Sequence, residues 1–251
     1  MTDHDPCQFL EWDSTFFGVR IGQVHKNSLD RETVDQITKW SNKNQIDCLY
    51  LVTDADDSLT IRLAEDNGFR LVEIRILYES NLSGWDPITR PKSNQDVVIR
   101  NVRIEDIPQL QEIAKNSYQN SRWYFDPCFP EAKCQEYYQL WIKKSAEGGA
   151  SFVLVADNNG EILGYISGNR QSDIQEGSFE LTAVKENARR SGIGHELFAS
   201  SLDWYIQHSV KQVIVNTQGR NLGTQRMILR FGFLPYKVQL FYHRWITNCD
   251  R

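Results

Sequence analysis

A short stretch in the second half of the sequence places two arginines and two glycines directly before a helix-like apolar run. It extends from Arg189 to Gly194 (RRSGIG) and follows the strand-like residues Ser178 to Val184. A loop that enters a helix N-terminus leaves backbone N–H groups unpaired, and the helix dipole adds positive potential there. Gly192 and Gly194 lack the Cβ atoms that would hold a diphosphate away from the backbone, and arginine donates charge-assisted hydrogen bonds to phosphate oxygens. The stretch therefore predicts a site for a phosphorylated ligand.

Two other phosphate-binding motifs do not fit this loop. A P-loop needs Gly-Lys-Ser/Thr, and a dinucleotide fingerprint needs three glycines in a βαβ setting. The bare pattern Arg-x-x-Gly-x-Gly is also typical of an ordinary glycine-bearing turn before a helix. The neighbouring elements must therefore decide between a ligand site and a simple turn.

The hydrophobic pattern predicts the elements that position this loop. From about residue 97 it indicates the order β-α-α-β-β-β-α-β-α-β, a mixed α/β layout. Asn158-Asn159-Gly160 is a strong hairpin signal between two of the strands. After the loop, an apolar helix leads to the strand Gln212 to Thr217, and a further helix begins near Leu222.

The first part of the chain reads as a separate and smaller unit. Asn81 to Gln95 is rich in Pro, Gly, Ser and Asn, which predicts a linker and a division into domains 1–90 and 91–251. Thr53 to Gly68 and Thr217 to Gly232 each span 15 positions (68 − 53 and 232 − 217) within strand–helix–Gly-Phe–strand units. This suggests a truncated internal duplication, with chance as the alternative. The first copy has no glycine pair before its helix, so we assign it a structural or substrate-side role.

The second half resembles the GNAT superfamily of N-acetyltransferases. Arg189, Gly192 and Gly194 match the Gln/Arg-x-x-Gly-x-Gly/Ala loop that binds the CoA pyrophosphate, and Asn221 followed by a helix and Gly232-Phe233 matches a second element. The resemblance covers about residues 97–246. It implies the mixed α/β GNAT acyl-CoA N-acyltransferase fold, preceded by a truncated GNAT-like domain. It also implies acetyl-CoA as cosubstrate, bound by Thr182, Ala183, Val184, Arg189, Arg190, Ser191, Gly192, Ile193, Gly194 and Asn221.

A closer likeness extends over the whole chain. Leu10 to Gly18 (LEWDSTFFG) and Ser121 to Pro127 (SRWYFDP) resemble the TDP-fucosamine acetyltransferase group, which acetylates a nucleotide-linked amino sugar. This likeness implies a small-molecule primary amine as acceptor. The aromatic residues around Trp123 are typical of a core, but the Asp126-Pro127 turn is polar enough to reach a sugar or nucleotide.

The candidate catalytic residues are Glu180, Tyr236 and Tyr242. Strand alternation puts Glu180 on the same face as Ser178 and Thr182, where it could act as a base, directly or through water. An exposed or ion-paired strand glutamate is the alternative. The GNAT pattern usually has a tyrosine acid seven positions after Asn221, but this chain has Ile228 there. Proton return must then come from Tyr236, Tyr242 or water, or the chain binds CoA without turnover.

Composition limits the partners that the chain could have. The net charge of −5 argues against nucleic acid, and no apolar run approaches the ~20 residues that span a membrane. Five scattered cysteines show neither zinc spacing nor a disulfide framework, so we expect reduced thiols, no metal and a cytoplasmic location, with a homodimer possible. Alternatives to a small-molecule enzyme are a CoA-binding pseudo-enzyme and a peptide or protein N-acetyltransferase. Aminoacyl transfer from tRNA would require a more basic surface.

Overall fold

The computed structural model of the chain describes residues 5–83 and 97–246, and every strand within them joins one sheet. The strands are β1 (Cys7–Phe9), β2 (Ile21–Val24), β3 (Cys48–Asp54), β4 (Arg70–Asn81), β5 (Val98–Asn101), β6 (Phe152–Asn158), β7 (Glu161–Gln171), β8 (Glu176–Val184), β9 (Gln212–Gln218) and β10 (Leu234–Trp245). The α-helices are α1 (Glu11–Phe17), α2 (Arg31–Lys43), α3 (Ser58–Asp66), α4 (Ile107–Lys115), α5 (Arg122–Phe125), α6 (Glu131–Lys144), α7 (Ile193–Gln207) and α8 (Leu222–Arg230). From residue 97 onward the predicted order of elements is confirmed, with the short α5 added.

The last strand of each half of the chain lies within the other half. The sheet order is β1-β2-β3-β10-β4-β9-β8-β7-β6-β5, so β10 lies between β3 and β4, while β4 lies between β10 and β9. Neighbouring strands are antiparallel except for two parallel pairs, β2 with β3 and β8 with β9. The exchange gives both β4 and β10 hydrogen-bonded neighbours on each side, so neither presents an open edge.

The register of the exchanged strands is two-fold symmetric. Arg75 lies opposite Gln239, and each is seven positions after the glycine that follows the preceding helix, Gly68 or Gly232 (75 − 68 and 239 − 232). The pairs on either side are Ile74 with Leu240 and Ile76 with Val238. Equivalent positions of the two halves thus pair with each other about a local two-fold axis. This register supports the duplication that the equal spacings suggested and argues against chance.

The predicted domain boundary at residues 90 and 91 lies outside the described residues. On either side of it the two halves share hydrogen bonds across β3, β10, β4 and β9. A division of the chain near residue 90 therefore does not divide the sheet. The boundary between the domains 1–90 and 91–251 stays a prediction.

Helices cover both faces of the sheet around the later strands. Helix α7 buries Ile193, Leu197, Leu202 and Tyr205, whose spacing of three to five residues puts them on one side of the helix. They join Phe198 and residues of α8 in one apolar cluster. A second cluster packs α4 and α6 on the opposite face, and a third packs α2 and α3 against the first strands.

A buried polar network connects β10 to the residues after α5. Asp126 is 4% exposed, and its Oδ2 accepts a hydrogen bond from Trp245 Nε1 at 2.8 Å and lies 2.7 Å from His243 Nδ1. Its Oδ1 accepts from the Cys128 N–H at 3.0 Å. His243 stacks on Tyr50 with ring centroids 4.4 Å apart. The Asp126 carboxylate is therefore turned inward and used by the fold, which leaves it unavailable to a sugar or nucleotide.

The cysteines differ from the expectation of uniformly reduced thiols. Cys7, Cys48 and Cys134 are free and buried, and burial raises the pKa of Cys7 and of Cys134 to about 12. Such thiols stay protonated and unreactive at neutral pH. Cys128 is disulfide-bonded, so for that residue the expectation is wrong.

We expect the free energy of unfolding to fall by about 2 kcal/mol when the pH is lowered from 7.5 to 5. Burial lowers the pKa of His243 to about 4 from its ordinary 6.5, with a further lowering from Arg122, and the bond to Asp126 only partly opposes this. Between these two pKa values the unfolded chain binds a proton that the folded chain does not bind, so acid favours unfolding. Urea denaturation at the two pH values measures the change.

The matched control separates His243 from the surface histidines. Replacing His243 by Gln removes the titrating group, so this part of the pH dependence should vanish even if overall stability falls. His25→Gln, at an exposed position, is the control for the substitution itself. Although burial raises the pKa of Asp126, hydrogen bonds from His243 and Trp245 bring it below its usual range, so this carboxylate loses its contribution only at lower pH. An unaltered pH dependence in His243→Gln would contradict the prediction.

Candidate functional site

The two parallel strands β8 and β9 separate and open a crevice in the sheet. They pair only at residues 176–178 with 212–214, although both strands continue beyond these positions. The crevice has a volume of about 360 Å³ and is lined by residues of both strands, of α7 and α8, and of the segment from α4 to α6. It is therefore a place where a ligand can reach the backbone of β8 from inside the sheet.

A β-bulge distorts β8 at this crevice. Ile166 of β7 lies opposite Thr182, whereas Gly168 lies opposite Phe179, so two residues of β8 face one residue of β7. The two are Glu180 and Leu181. The Leu181 N–H donates to the side-chain oxygen of Ser167 over 3.2 Å.

The bulge reverses the side-chain alternation along β8. Phe179 stacks on Phe198 of α7 with ring centroids 4.9 Å apart, whereas Leu181 belongs to the cluster beneath α4 and α6. Glu180 was predicted to share a face with Ser178 and Thr182. That prediction holds for Ser178, which precedes the bulge, and is wrong for Thr182, which follows it.

Glu180 is a fixed carboxylate at the edge of the crevice. Its Oε1 accepts a hydrogen bond from Asn169 Nδ2 at 2.7 Å, and its Oε2 accepts from Ser145 Oγ at 3.0 Å. The residue also lines an adjoining pocket of about 230 Å³, which Trp12 and Trp141 help to form. Glu180 therefore stands at the junction of two spaces, oriented by two donors and half-buried, where it can accept a proton from a group that enters through either space.

The N-terminus of α7 is open to a ligand. Its N-cap residue is Gly192, and no side chain caps the helix. Helices α1, α4, α5 and α6 also lack a side-chain cap, whereas α2, α3 and α8 are capped by the side chains of Asp30, Asp57 and Asn221. Gly192 itself thus offers no side-chain acceptor to the first N–H groups of α7, and the helix dipole makes this end favourable for an anion.

The shape of the loop before α7 fits a diphosphate. Gly192 has a φ of 94°, and a Cβ placed there would meet nothing within 4 Å, so the space in front of it is open. Arg189 Nε donates to the Val184 carbonyl at 3.2 Å, and Ser191 Oγ donates to the Ala188 carbonyl at 2.6 Å, which holds the loop against the end of β8. These residues fit the CoA pyrophosphate that the resemblance implied.

The other predicted cofactor residues fall into three groups. Arg189, Arg190 and Ser191 are exposed on the loop, whereas Ile193 is 1% exposed and anchors it in the core. Ala183 and Val184 are paired with β7, and Gly194 follows Gly192 into the helix. Thr182 and Asn221 line the crevice, and the Asn221 side chain accepts from the Thr224 N–H at 3.3 Å.

The structure does not bring the two expected tyrosine acids to the crevice. Tyr236 is 44% exposed, Tyr242 is 1% exposed within the cluster of α2 and α3, and neither lines the crevice. The reason is the strand exchange, because β10 passes between β3 and β4 and away from β8. Ile228 is completely buried in the cluster of α7 and α8. The geometry therefore gives no support to Tyr236 or Tyr242 as the acid.

Sequence reasoning missed three of the charged residues that line the crevice, whereas it had named Thr182 and Asn221 and had considered the aromatic set that includes Tyr138. Glu73 and Arg75 of β4 and Arg122 of α5 line the crevice, as do Tyr118 and Tyr138, whose rings stack 4.2 Å apart. Burial raises the pKa of Tyr118 well above its usual value, so its hydroxyl stays protonated and lies 2.9 Å from the Tyr165 hydroxyl. No local motif predicts that β4 lies beside β9, because this position in the sheet follows from the strand exchange alone.

In the two described ranges, none of the helices is long and apolar enough to cross a membrane. The same residues contain no group of three or more His, Cys, Asp or Glu side chains that could hold a metal ion.

Comparison with known proteins identifies the fold. Residues 118–233 match the model of the Acetyltransferase (GNAT) family. A GCN5-related N-acetyltransferase from Sphaerobacter thermophilus superposes with a TM-score of 0.68 at 16% identity, over 96% of this chain and 76% of that one. A tandem GNAT protein from the clavulanic acid biosynthesis pathway superposes with a TM-score of 0.64 at 15% identity, over 93% and 77%. The predicted mixed α/β GNAT fold, with two GNAT-like regions, is confirmed.

One curated relative is similar in sequence. The spore coat polysaccharide biosynthesis protein SpsD of Bacillus subtilis (strain 168) is 29% identical over 140 residues, which are 56% of this chain and 48% of that protein. The chain thus matches about half the length of this relative. The expected GNAT resemblance is confirmed, whereas the likeness to the TDP-fucosamine group stays a prediction.

We expect replacement of Gly192 by Val to weaken acetyl-CoA binding at least tenfold, about 1.4 kcal/mol. The new side chain would occupy the open space in which a diphosphate fits, and it would also strain the backbone at a φ of 94°. Isothermal titration calorimetry measures the dissociation constant.

Gly160 provides the control for backbone strain. It also has a φ of 94° with open space around it, but it lies in the turn between β6 and β7. The variant Gly160→Val should lose a similar amount of thermal stability and keep its affinity for acetyl-CoA. If Gly192→Val bound acetyl-CoA as tightly as Gly160→Val does, the loop would not be part of the binding site.

Proposed function

We propose that this chain transfers an acetyl group from acetyl-CoA to a primary amine, because residues 118–233 match the GNAT acetyltransferase family. The observation that carries the proposal is the uncapped N-terminus of α7 behind Gly192, next to a crevice where β8 and β9 separate. The proposed cofactor residues are those of the loop and the end of β8. Bound acetyl-CoA supplies the thioester carbonyl that the amine attacks.

The residues of the chain have a limited task in this reaction. A neutral amine forms the new N–C bond as the C–S bond breaks, and its proton must leave. Glu180, fixed by Asn169 and Ser145, is positioned to accept that proton directly or through one water. No tyrosine of α8 returns a proton to the thiolate, because Ile228 holds that position. A thiolate with an ordinary pKa near 8.5 can depart as an anion, so an enzyme acid would assist the step without being indispensable.

We infer that the acceptor is a small amine, and a nucleotide-linked amino sugar is the class that we favour. The curated relative is named for spore coat polysaccharide biosynthesis, which agrees with a sugar acceptor. The pocket next to Glu180 has two tryptophans, Trp12 and Trp141, and aromatic faces suit a sugar ring. Trp12 is 51% exposed, which favours a role in contact with a ligand. The proposal is of a cytoplasmic enzyme that acts without a nucleic acid or a membrane, and a homodimer is compatible with it.

A second candidate is a protein that binds CoA without turnover. The buried Ile228 favours it, because the usual proton donor is absent. Measured release of the CoA thiol in the presence of amines distinguishes the two candidates. Acetyl-CoA binding without thiol release, for amino sugars and peptide amines alike, would favour the binding protein.

We expect Glu180→Gln to lower the maximal rate by about 10²–10⁴ while the dissociation constant of acetyl-CoA stays the same. Gln keeps the size of the side chain and can still contact Asn169 and Ser145, but it cannot take a proton. The assay follows thiol release with TDP- and UDP-linked amino sugars. Glu112→Gln, at an exposed position of α4, is the control and should leave the rate unchanged. A Glu180→Gln variant with full activity would exclude this carboxylate as the base.

A further inference from the structure

Three charged side chains from outside the glycine loop line the crevice together. Glu73 and Arg75 belong to β4 and Arg122 begins α5. Glu73 is 1% exposed, and its Oε1 accepts from Arg75 Nε at 3.0 Å and Nη2 at 2.8 Å. Its Oε2 accepts from the backbone N–H of Arg122 at 3.1 Å. The single carboxylate is therefore bonded through both oxygens, and its charge is balanced by Arg75.

The guanidinium of Arg122 has no acceptor among the residues that the structure describes. Its central carbon lies 4.4 Å from the ring centroid of Trp123, 5.0 Å from that of Tyr50 and 5.3 Å from that of Phe241. Its Nε is buried and has no hydrogen-bond partner. Cation–π contacts stabilise the charge, but they leave the N–H donors unpaired. Unpaired donors removed from water carry a free-energy penalty that a bound anion would relieve.

Of the two guanidinium groups in the cluster, Arg75 is bonded to Glu73, whereas Arg122 is bonded to no carboxylate of the described residues. The three side chains carry two guanidinium groups and one carboxylate. Glu180 also lines the crevice and Asp13 lies within electrostatic reach of Arg122, but neither carboxylate accepts a hydrogen bond from Arg122. Burial lowers the pKa of Arg75, the carboxylate of Glu73 partly opposes this, and the positive charge of Arg122 lowers it further. A guanidinium held on aromatic faces presents its fork of donors in a fixed direction, which matches the two oxygens of a carboxylate or a phosphate.

We propose that Arg122, supported by Arg75, binds an anionic group, carboxylate or phosphate, on the acceptor amine. This inference rests on the proposed function. The cosubstrate does not supply the anion, because its diphosphate is assigned to the loop 189–194, which does not line the crevice, and its thioester end is uncharged. The acceptor would then be an amine with a negative charge near the reacting nitrogen. Glu73 acts as a positioning residue that fixes Arg75 and the start of α5.

The test measures binding of three matched sugars to the CoA-saturated protein by calorimetry. Glucosamine, glucosamine 6-phosphate and 2-amino-2-deoxyglucuronic acid share the ring and the amine and differ in the charge at C6. Inorganic phosphate and acetate serve as minimal probes of the two anion types by thermal shift. We expect at least one anionic sugar to bind ten times or more tightly than glucosamine, and the better of the two identifies phosphate or carboxylate as the source.

The variants separate anion recognition from packing. Arg122→Met keeps a long apolar side chain on the rings and should abolish the preference for the anionic sugar, whereas Arg122→Lys should retain part of it. Arg62→Met, at an exposed position of α3, is the control and should retain all of it. The proposal is overturned if the wild-type protein binds charged and neutral sugars equally or binds none of the probes. It is also overturned if folded Arg122→Met keeps the preference.

Failure of this inference and failure of the proposed function give different results. The binding measurements need no turnover, so equal binding of the three sugars overturns the anion site alone. Acetyl-CoA that binds without thiol release with any amine overturns the enzyme and leaves the anion preference as a separate measurement on the same crevice.

Discussion

The pairing of β10 between β3 and β4 is the constraint on which the rest of this structure depends. A strand needs hydrogen-bonding partners along its edges, and in this chain each half supplies a partner that the other lacks. The symmetric register about Arg75 and Gln239 shows that the two halves meet as equivalent units. Because β4 is thereby brought next to β9, residues from the first part of the chain line a crevice whose other walls belong to the second part.

The two halves share the same arrangement of two parallel strands and a connecting helix, but the N-terminus of that helix differs between them. In each, two parallel strands neighbour one another, β2 with β3 and β8 with β9, and a helix connects them. At the start of α2, the carboxylate of Asp30 accepts from the Thr33 N–H at 2.7 Å and occupies the position that a phosphate would need. At the start of α7 there is Gly192 instead. One residue at the N-cap thus closes one helix to anions and leaves the other open.

The site depends on local departures from regular sheet geometry. The separation of β8 from β9 exposes strand backbone, and the bulge at Glu180 and Leu181 turns a carboxylate toward Ser145 and Asn169. These irregularities are stabilised by packing on both faces, with Phe179 against α7 and Leu181 beneath α4 and α6. The aromatic residues after α4, which the sequence identifies as core, have a double role, because several of them also form the wall of the crevice.

The sequence by itself determined the features that depend on short-range chemistry. The glycine loop, the order of elements after residue 97 and the turn at Asn159-Gly160 follow from residue types and spacing, since backbone conformation and amphipathic period are local properties. The equal spacings before Gly68 and Gly232 also indicated the duplication. Only the tertiary structure decided the rest. Strand exchange took Tyr242 away from the crevice and brought Arg75 into it, and the bulge separated Glu180 from Thr182. Sheet order and register depend on contacts between residues far apart in the chain, and no local pattern encodes which strand will lie beside which.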